Sequence, residues 1–96
     1  MLIYVAHAYG GNAENLEKAK KIIHDLQTKD TENCYISPLS AFSHLGYGEI
    51  GYDQEMDLCI DLLSVCDMLL VASEVSKGVQ AEIDFAKLVK MEIKYL

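Results

Sequence analysis

At 96 residues the chain has room for one small hydrophobic core, and 51% hydrophobic with 24% charged residues excludes disorder. Eight basic residues against fifteen acidic ones leave a net charge of −7, which excludes the clustered cationic surface that a nucleic-acid partner requires. No apolar run reaches membrane-spanning length, and the segment Met1 to Ala6 lacks the basic start and the length of a signal sequence. A cytoplasmic protein with no membrane partner is therefore expected.

The run Leu2 to Ala6 reads as a first strand. The loop His7-Ala8-Tyr9-Gly10-Gly11 follows, and Asn12 is a suitable N-cap for a helix from Ala13 to about Lys29. In that helix Leu16, Ala19, Ile22, Ile23 and Leu26 share one face, while Glu14, Glu17, Lys18, Lys21 and Asp25 take the solvent side. Cys34-Tyr35-Ile36 is a short second strand ended by Ser37-Pro38. The stretch Leu39 to Gly51 is expected to be irregular, because glycines stand at 46, 48 and 51 and aromatics at 42, 47 and 52 on and beside it. A second helix is expected from Asp53 to Cys66, with Met56, Cys59, Leu62, Leu63 and Cys66 inward and Asp57, Asp61 and Ser64 outward.

Met68 to Ala72 is unbroken apolar sequence and fits a central third strand. Gly78 to about Lys90 is the third helix and Glu92 to Leu96 the fourth strand. Strands alternating with amphipathic helices predict a single α/β domain over residues 1–96. The expected architecture is a three-layer sandwich, flavodoxin- or Rossmann-like, with a four-stranded parallel sheet in the order 2-1-3-4. Right-handed crossovers put the first helix on one face and the other two on the opposite face. Ligands of such folds bind outside the carboxyl ends of the strands where the order reverses, here between strands 1 and 3. The loops at His7 to Asn12, Ser37 to Tyr52 and Ser73 to Gly78 converge there.

Within that crevice Ser76-Lys77-Gly78-Val79-Gln80-Ala81-Glu82 carries the sharpest signal. Gly78 would let the backbone turn and approach a ligand closely. Glu82, one turn further on, would aim a carboxylate at the crevice, which is what chemistry at a sugar's anomeric carbon uses. The plainer alternative is an acid that complements the helix dipole. Ser76 either caps the helix or meets a phosphate, and the two roles are compatible. Gly10-Gly11 is either a tight turn or an anion cradle at a helix N-terminus. His7 either contacts a ligand or bonds to a neighbouring loop, and the aromatics at 42, 47 and 52 either stack on a base or pack the loop. The three cysteines, Cys34, Cys59 and Cys66, show no metal or disulfide spacing and read as buried structural thiols; no metal site and no cofactor are expected.

Taken together, Tyr4-Val5-Ala6-His7-Ala8-Tyr9-Gly10-Gly11, Ser37-Pro38-Leu39, Cys66-Asp67 and Ser76-x-Gly78-x-x-x-Glu82-Ile83 resemble the nucleoside 2-deoxyribosyltransferase-like superfamily, above all its short bacterial and phage branch. The likeness spans essentially the whole chain in the same motif order. It implies N-glycosidic chemistry on a small nucleoside or nucleotide: Glu82 attacks C1′, Tyr4 orients it, and the sugar passes to water or to another base. It implies ligand contacts for His7, Gly10, Gly11, Ser37, Ser76 and Gly78, with hydrolysis favoured by the phosphate-friendly first loop. The aspartate that assists base departure in that superfamily falls on Cys59 here, so Asp57, nearer the helix N-terminus, is the expected substitute. A homodimer or larger homo-oligomer is also implied. The alternative reading is a non-catalytic nucleotide-binding or sensor module of the same fold. A phospho-receiver domain is disfavoured, since Ala72-Ser73 stands where it needs an aspartate.

Overall fold

The computed structural model describes residues 1–96. Its strands are β1 (Leu2–Ala6), β2 (Cys34–Ile36), β3 (Met68–Val71) and β4 (Glu92–Tyr95). The helices are α1 (Ala13–Lys29), α2 (Pro38–Ala41), α3 (Tyr52–Ser64) and α4 (Lys77–Leu88). All strand pairs are parallel and their order is β2-β1-β3-β4, as expected. β1 is flanked on both sides: Tyr4 stands opposite Ile36 of β2 and Leu69 of β3.

Period-2 alternation along β1 and β3 sorts their side chains into two cores. Ile3, Val5, Met68 and Leu70 point to one face, where Ile23 and Leu26 of α1 cover them. Tyr4, Ala6, Leu69 and Val71 point to the other, against Leu63 of α3 and Val79, Ile83 and Ala86 of α4. One helix thus covers one face and two cover the other, which completes the three-layer sandwich. Because the strands are parallel, the N-termini of α1, α3 and α4 all rise at the carboxyl end of the sheet.

Local chemistry sets the helix ends. The Asn12 side chain accepts from the backbone N–H groups of Glu14 and Asn15 and starts α1. The expected irregular stretch after β2 is corrected in its first residues. Ser37, almost wholly buried, accepts from Leu39 N–H at 3.1 Å, and Pro38 occupies the first helical position, so the short α2 forms there. From residue 42 to α3 the chain does run in turns. The Tyr47 ring meets Tyr9 edge-on at 5.6 Å and lies over Gly11, where an added Cβ would stand 2.7 Å from it. Gly10 and Gly11 both have positive φ, +58° and +77°, in the turn closed by Asn12 N–H to Tyr9 C=O.

The end of α4 also departs from expectation, since the helix stops at Leu88 rather than near Lys90. The backbone closes in a Schellman arrangement: Lys90 N–H donates to Lys87 C=O and Met91 N–H donates to Ala86 C=O. That arrangement needs a left-handed residue, and Lys90 fills it at φ +60°. A periodicity argument cannot see this stop, because the usual glycine is absent. Replacing Lys90 with glycine removes the Cβ clash of the left-handed conformation and should stabilise the fold by about 1 kcal/mol. Urea unfolding checks it, as a higher midpoint at an unchanged slope.

Candidate functional site

Tyr4 stands at the middle of β1, and its parity directs it between the sheet and the α3–α4 layer. Glu82 lies in the second turn of α4. Side chains of a helix tilt toward its N-terminus, so this carboxyl reaches back toward the carboxyl end of the sheet. The two meet: the Tyr4 hydroxyl donates to Glu82 Oε2. Tyr4 is fully buried and Glu82 is 5% exposed. Glu82 takes part in no ion pair.

Burial without a cation decides the protonation of this pair. It pushes the Glu82 carboxyl up to about 7, with the Tyr4 hydrogen bond pulling the other way. The Tyr4 phenol is pushed far above its ordinary value, first by burial and then by the Glu82 charge. Cys59 is the third member. Burial and the Glu82 charge push its thiol up to about 11, while the neighbouring Tyr4 hydroxyl lowers it. Below neutrality the cluster is therefore uncharged, with every acidic proton retained. Around neutrality Glu82 is the one member that ionises, and the Tyr4 hydroxyl is poised to donate to the resulting carboxylate.

The first turns of α3 and α4 close over this cluster. A Cβ on Gly78 would stand 3.6 Å from Met56 Sδ and 3.9 Å from the Tyr52 hydroxyl, so the glycine lies along the α3–α4 seam. Lys77 sits 4.8 Å from the centre of the Tyr52 ring, a cation–π contact across the rim. Gly78 is an ordinary helical residue; the sharp turn expected of it does not occur. Ser76 caps α4, accepting from Val79 N–H at 3.3 Å, and Ser37 caps α2 at the end of β2.

Other expected ligand residues are placed apart from Glu82. His7 has the parity of Ile3 and Val5, so it faces the α1 side of the sheet. There its Nδ1 bonds the Ala8 carbonyl at 2.8 Å, and it lines an open cavity of about 400 Å³ with Asn15, Lys18, Lys21 and Ser73. Gly10 and Gly11 are exposed in their turn, with Gly11 under Tyr47. Asp57 is exposed, on the side of α3 turned away from Cys59. Asp67 accepts from Leu2 N–H at 2.7 Å and ties the amino ends of β1 and β3, a structural role.

Two residues outside the expected set of site residues matter here. Cys59, assigned to the core face, is at the same time a member of the polar cluster. Glu55 is half-buried, and its charge contributes to the raised Cys59 thiol. The signal for Glu55 was its i,i+4 spacing from Cys59. Among the thiols the expectation of burial holds for Cys66, while Cys59 is half-buried and Cys34 is exposed. All three are free, and no cluster of His, Cys, Asp or Glu has metal-binding form.

Fold and site together define a parallel α/β domain whose switch-point layer encloses a hydrogen-bonded carboxyl. The chain belongs to the family described as Domain of unknown function (DUF4406), whose model matches residues 1–95. No curated protein and no solved structure matches it. No helix is long and apolar enough to cross a membrane.

The raised Glu82 carboxyl makes stability depend on pH. In the unfolded chain this group titrates near 4.5, in the folded protein near 7. Between those values the folded state holds a proton that the unfolded state has released, so the contribution present below 4.5 is lost as pH rises through 7. Glu82→Gln should match wild type in stability below pH 4.5 and exceed it by roughly 3 kcal/mol above pH 7.5. Denaturation at a series of pH values measures this. Tyr4→Phe removes the donor that favours the carboxylate, so the Glu82 midpoint should rise further, by about one pH unit. Carboxyl-carbon NMR reads the midpoint directly.

Proposed function

We propose that this protein cleaves or transfers the N-glycosidic bond of a small nucleoside or nucleotide, with Glu82 as nucleophile and Tyr4 as its positioning partner. The observation that carries the reading is the buried Tyr4–Glu82 hydrogen bond, beneath the first turns of α3 and α4. An ionised Glu82 attacks C1′ of the sugar. The C1′–N bond breaks, its electron pair leaves with the base, and a glycosyl ester forms on the carboxyl. Water or a second base then takes C1′ and releases Glu82. Tyr4 holds the attacking carboxylate by donating to the oxygen that stays free. A carboxyl that titrates near 7 is ionised often enough to attack at neutral pH.

The resemblance of the Tyr4-Val5-Ala6-His7, Ser37-Pro38 and Ser76-x-Gly78-x-x-x-Glu82 elements to the nucleoside 2-deoxyribosyltransferase-like superfamily supports the same reading. The reaction needs no metal or cofactor, and the setting proposed is cytoplasmic. The Gly10-Gly11 turn and the α4 N-terminus at Ser76 are the elements that a 5′-phosphate would meet. A homo-oligomer would cover the exposed apolar side chains Leu88, Val89, Tyr95 and Leu96 of α4, β4 and the residues that end them.

One observation favours a second reading, a binding module without turnover. Glu82 is closed from solvent at 5% exposure, so a substrate reaches it only if the first turns of α3 and α4 part. A panel of 2′-deoxynucleosides and their 5′-monophosphates, assayed for free base, decides between the two. Turnover by wild type that falls at least a hundredfold in Glu82→Ala supports the enzyme. Saturable binding with no base released supports the module. Gly78→Ala adds a second arm. The site has ordinary van der Waals room for the methyl group, so the helix should gain about 1 kcal/mol of stability. Any ligand that inserts along the α3–α4 seam should nonetheless bind less well.

A further inference from the structure

We infer that the outer edge of β4 pairs with the same edge of a second copy of the chain, antiparallel and centred on Ile93, so that two sheets join into one. The pairing does not depend on the chemistry proposed for Glu82. The strand order leaves β2 and β4 at the two edges of the sheet, where backbone groups lack a ladder partner. On β2 this is remedied within the chain. Tyr35 N–H, which points away from β1, donates to Gln27 Oε1 at 2.9 Å, and Gln27 is held in turn by the carbonyls of Asp30 and Asn33. β4 has only β3 beside it. Leu96 N–H donates to Val71 C=O, so the backbone groups of Leu96, Lys94 and Glu92 face β3. By alternation the N–H and C=O of Ile93 and Tyr95 face outward.

The edge is complementary to itself. About a two-fold axis at Ile93, each Ile93 N–H donates to the Ile93 C=O of the other copy. Glu92 then stands opposite Lys94 of the second copy, and Lys94 opposite its Glu92, in the non-hydrogen-bonded positions where side chains come closest. Both residues are exposed, and neither takes part in an ion pair within the chain. They share the α1 side of the sheet, because Met68 and Leu70, beside them in β3, belong to that face. On the other face Tyr95 comes opposite Met91 of the second copy, at the end where Leu88 and Val89 stand exposed. Centring the axis on Glu92 or Lys94 instead would set like charges together and turn the outward backbone groups out of register. Charges of one sign would guard an edge against its copy; an alternating Glu92 and Lys94 attract it. A head-to-tail pairing of β4 with β2 would grow without closing, and Gln27 already occupies the β2 edge.

Sedimentation equilibrium of the whole chain over a concentration series tests this, together with amide hydrogen exchange of the wild type. A monomer–dimer equilibrium is expected. Glu92→Lys and Lys94→Glu should each raise the dimer dissociation constant about tenfold, since each turns two attractive pairs repulsive. The double variant Glu92→Lys, Lys94→Glu restores both pairs and should return within about threefold of wild type. The two single changes shift net charge in opposite directions, so a general charge effect would weaken one dimer and strengthen the other. In the wild type the amides of Ile93 and Tyr95 should exchange more slowly as concentration rises. A chain that stays monomeric overturns the inference, as does a dimer that the single variants leave unchanged or the double variant fails to restore. Exchange at Ile93 that does not vary with concentration also overturns it. If that amide is already protected in the monomer, another segment occupies the edge and a second copy does not.

Discussion

A carboxyl only 5% exposed is costly as a bare anion, and the hydrogen bond from Tyr4 is what makes its position stable. That bond joins the middle of the first strand to the second turn of the last helix, across 78 residues of sequence. It therefore fixes how α4 seats on the sheet as well as where the acid points. Apolar burial supplies most of the free energy that holds the layer together. The polar pair supplies its specificity, since a rotation of α4 would leave both a buried hydroxyl and a buried carboxyl unsatisfied.

β1 also divides the molecule chemically. Its even residues, Leu2, Tyr4 and Ala6, serve the layer of α3 and α4; its odd residues, Ile3 and Val5, serve the α1 layer, and His7 follows on that side. The open cavity beside α1, with Lys18, Lys21 and His7 on its walls, consequently has no acid of the Tyr4–Glu82 cluster in it. Size alone would have drawn attention to that cavity. The Tyr4–Glu82 cluster lies in the tighter layer, where desolvation strengthens each polar contact and moves each proton equilibrium. Ser73 links the two sides at the switch point, accepting from Ala8 N–H and donating to the Glu74 carbonyl, both at 2.8 Å.

Hydrophobic period made the sheet order and the helix layering legible before any coordinates, because each depends on spacing along one element, whereas the Tyr4–Glu82 pairing was implied only by the family resemblance. Leu2–Ala6, Ala13–Lys29 and Cys34–Ile36 stand as the pattern places them. Lys90 was not legible: a lysine in the left-handed conformation ends α4 through tertiary and backbone hydrogen bonding, with no glycine to announce it. α2 was hidden for a different reason. Four residues hold no period, although Ser37-Pro38 is a sound helix start. Within the site, Asp57 was favoured over Asp61 for its nearness to the helix N-terminus, yet helical residues two apart face apart and residues four apart face together. The half-buried Glu55 obeys that rule. Gly78 was read for backbone freedom, whereas its use in the fold is smallness along the seam with Met56 and Tyr52.

For the proposed nucleophile, the depth of Glu82 answers two opposed requirements. A carboxylate in water is weakly nucleophilic because its charge is dispersed into hydrogen bonds with solvent, and burial removes those bonds. Burial carried too far keeps the proton on and leaves no nucleophile at neutral pH. Tyr4 shifts that balance without a countercharge: a phenol donates one hydrogen bond to the anion and brings no cation that would hold it down as an ion pair. A lysine or arginine in the same place would drive the carboxyl fully ionised but would compete with an electron-poor sugar carbon for its charge. In the proposed reaction the neutral donor Tyr4 leaves that charge free for the sugar carbon.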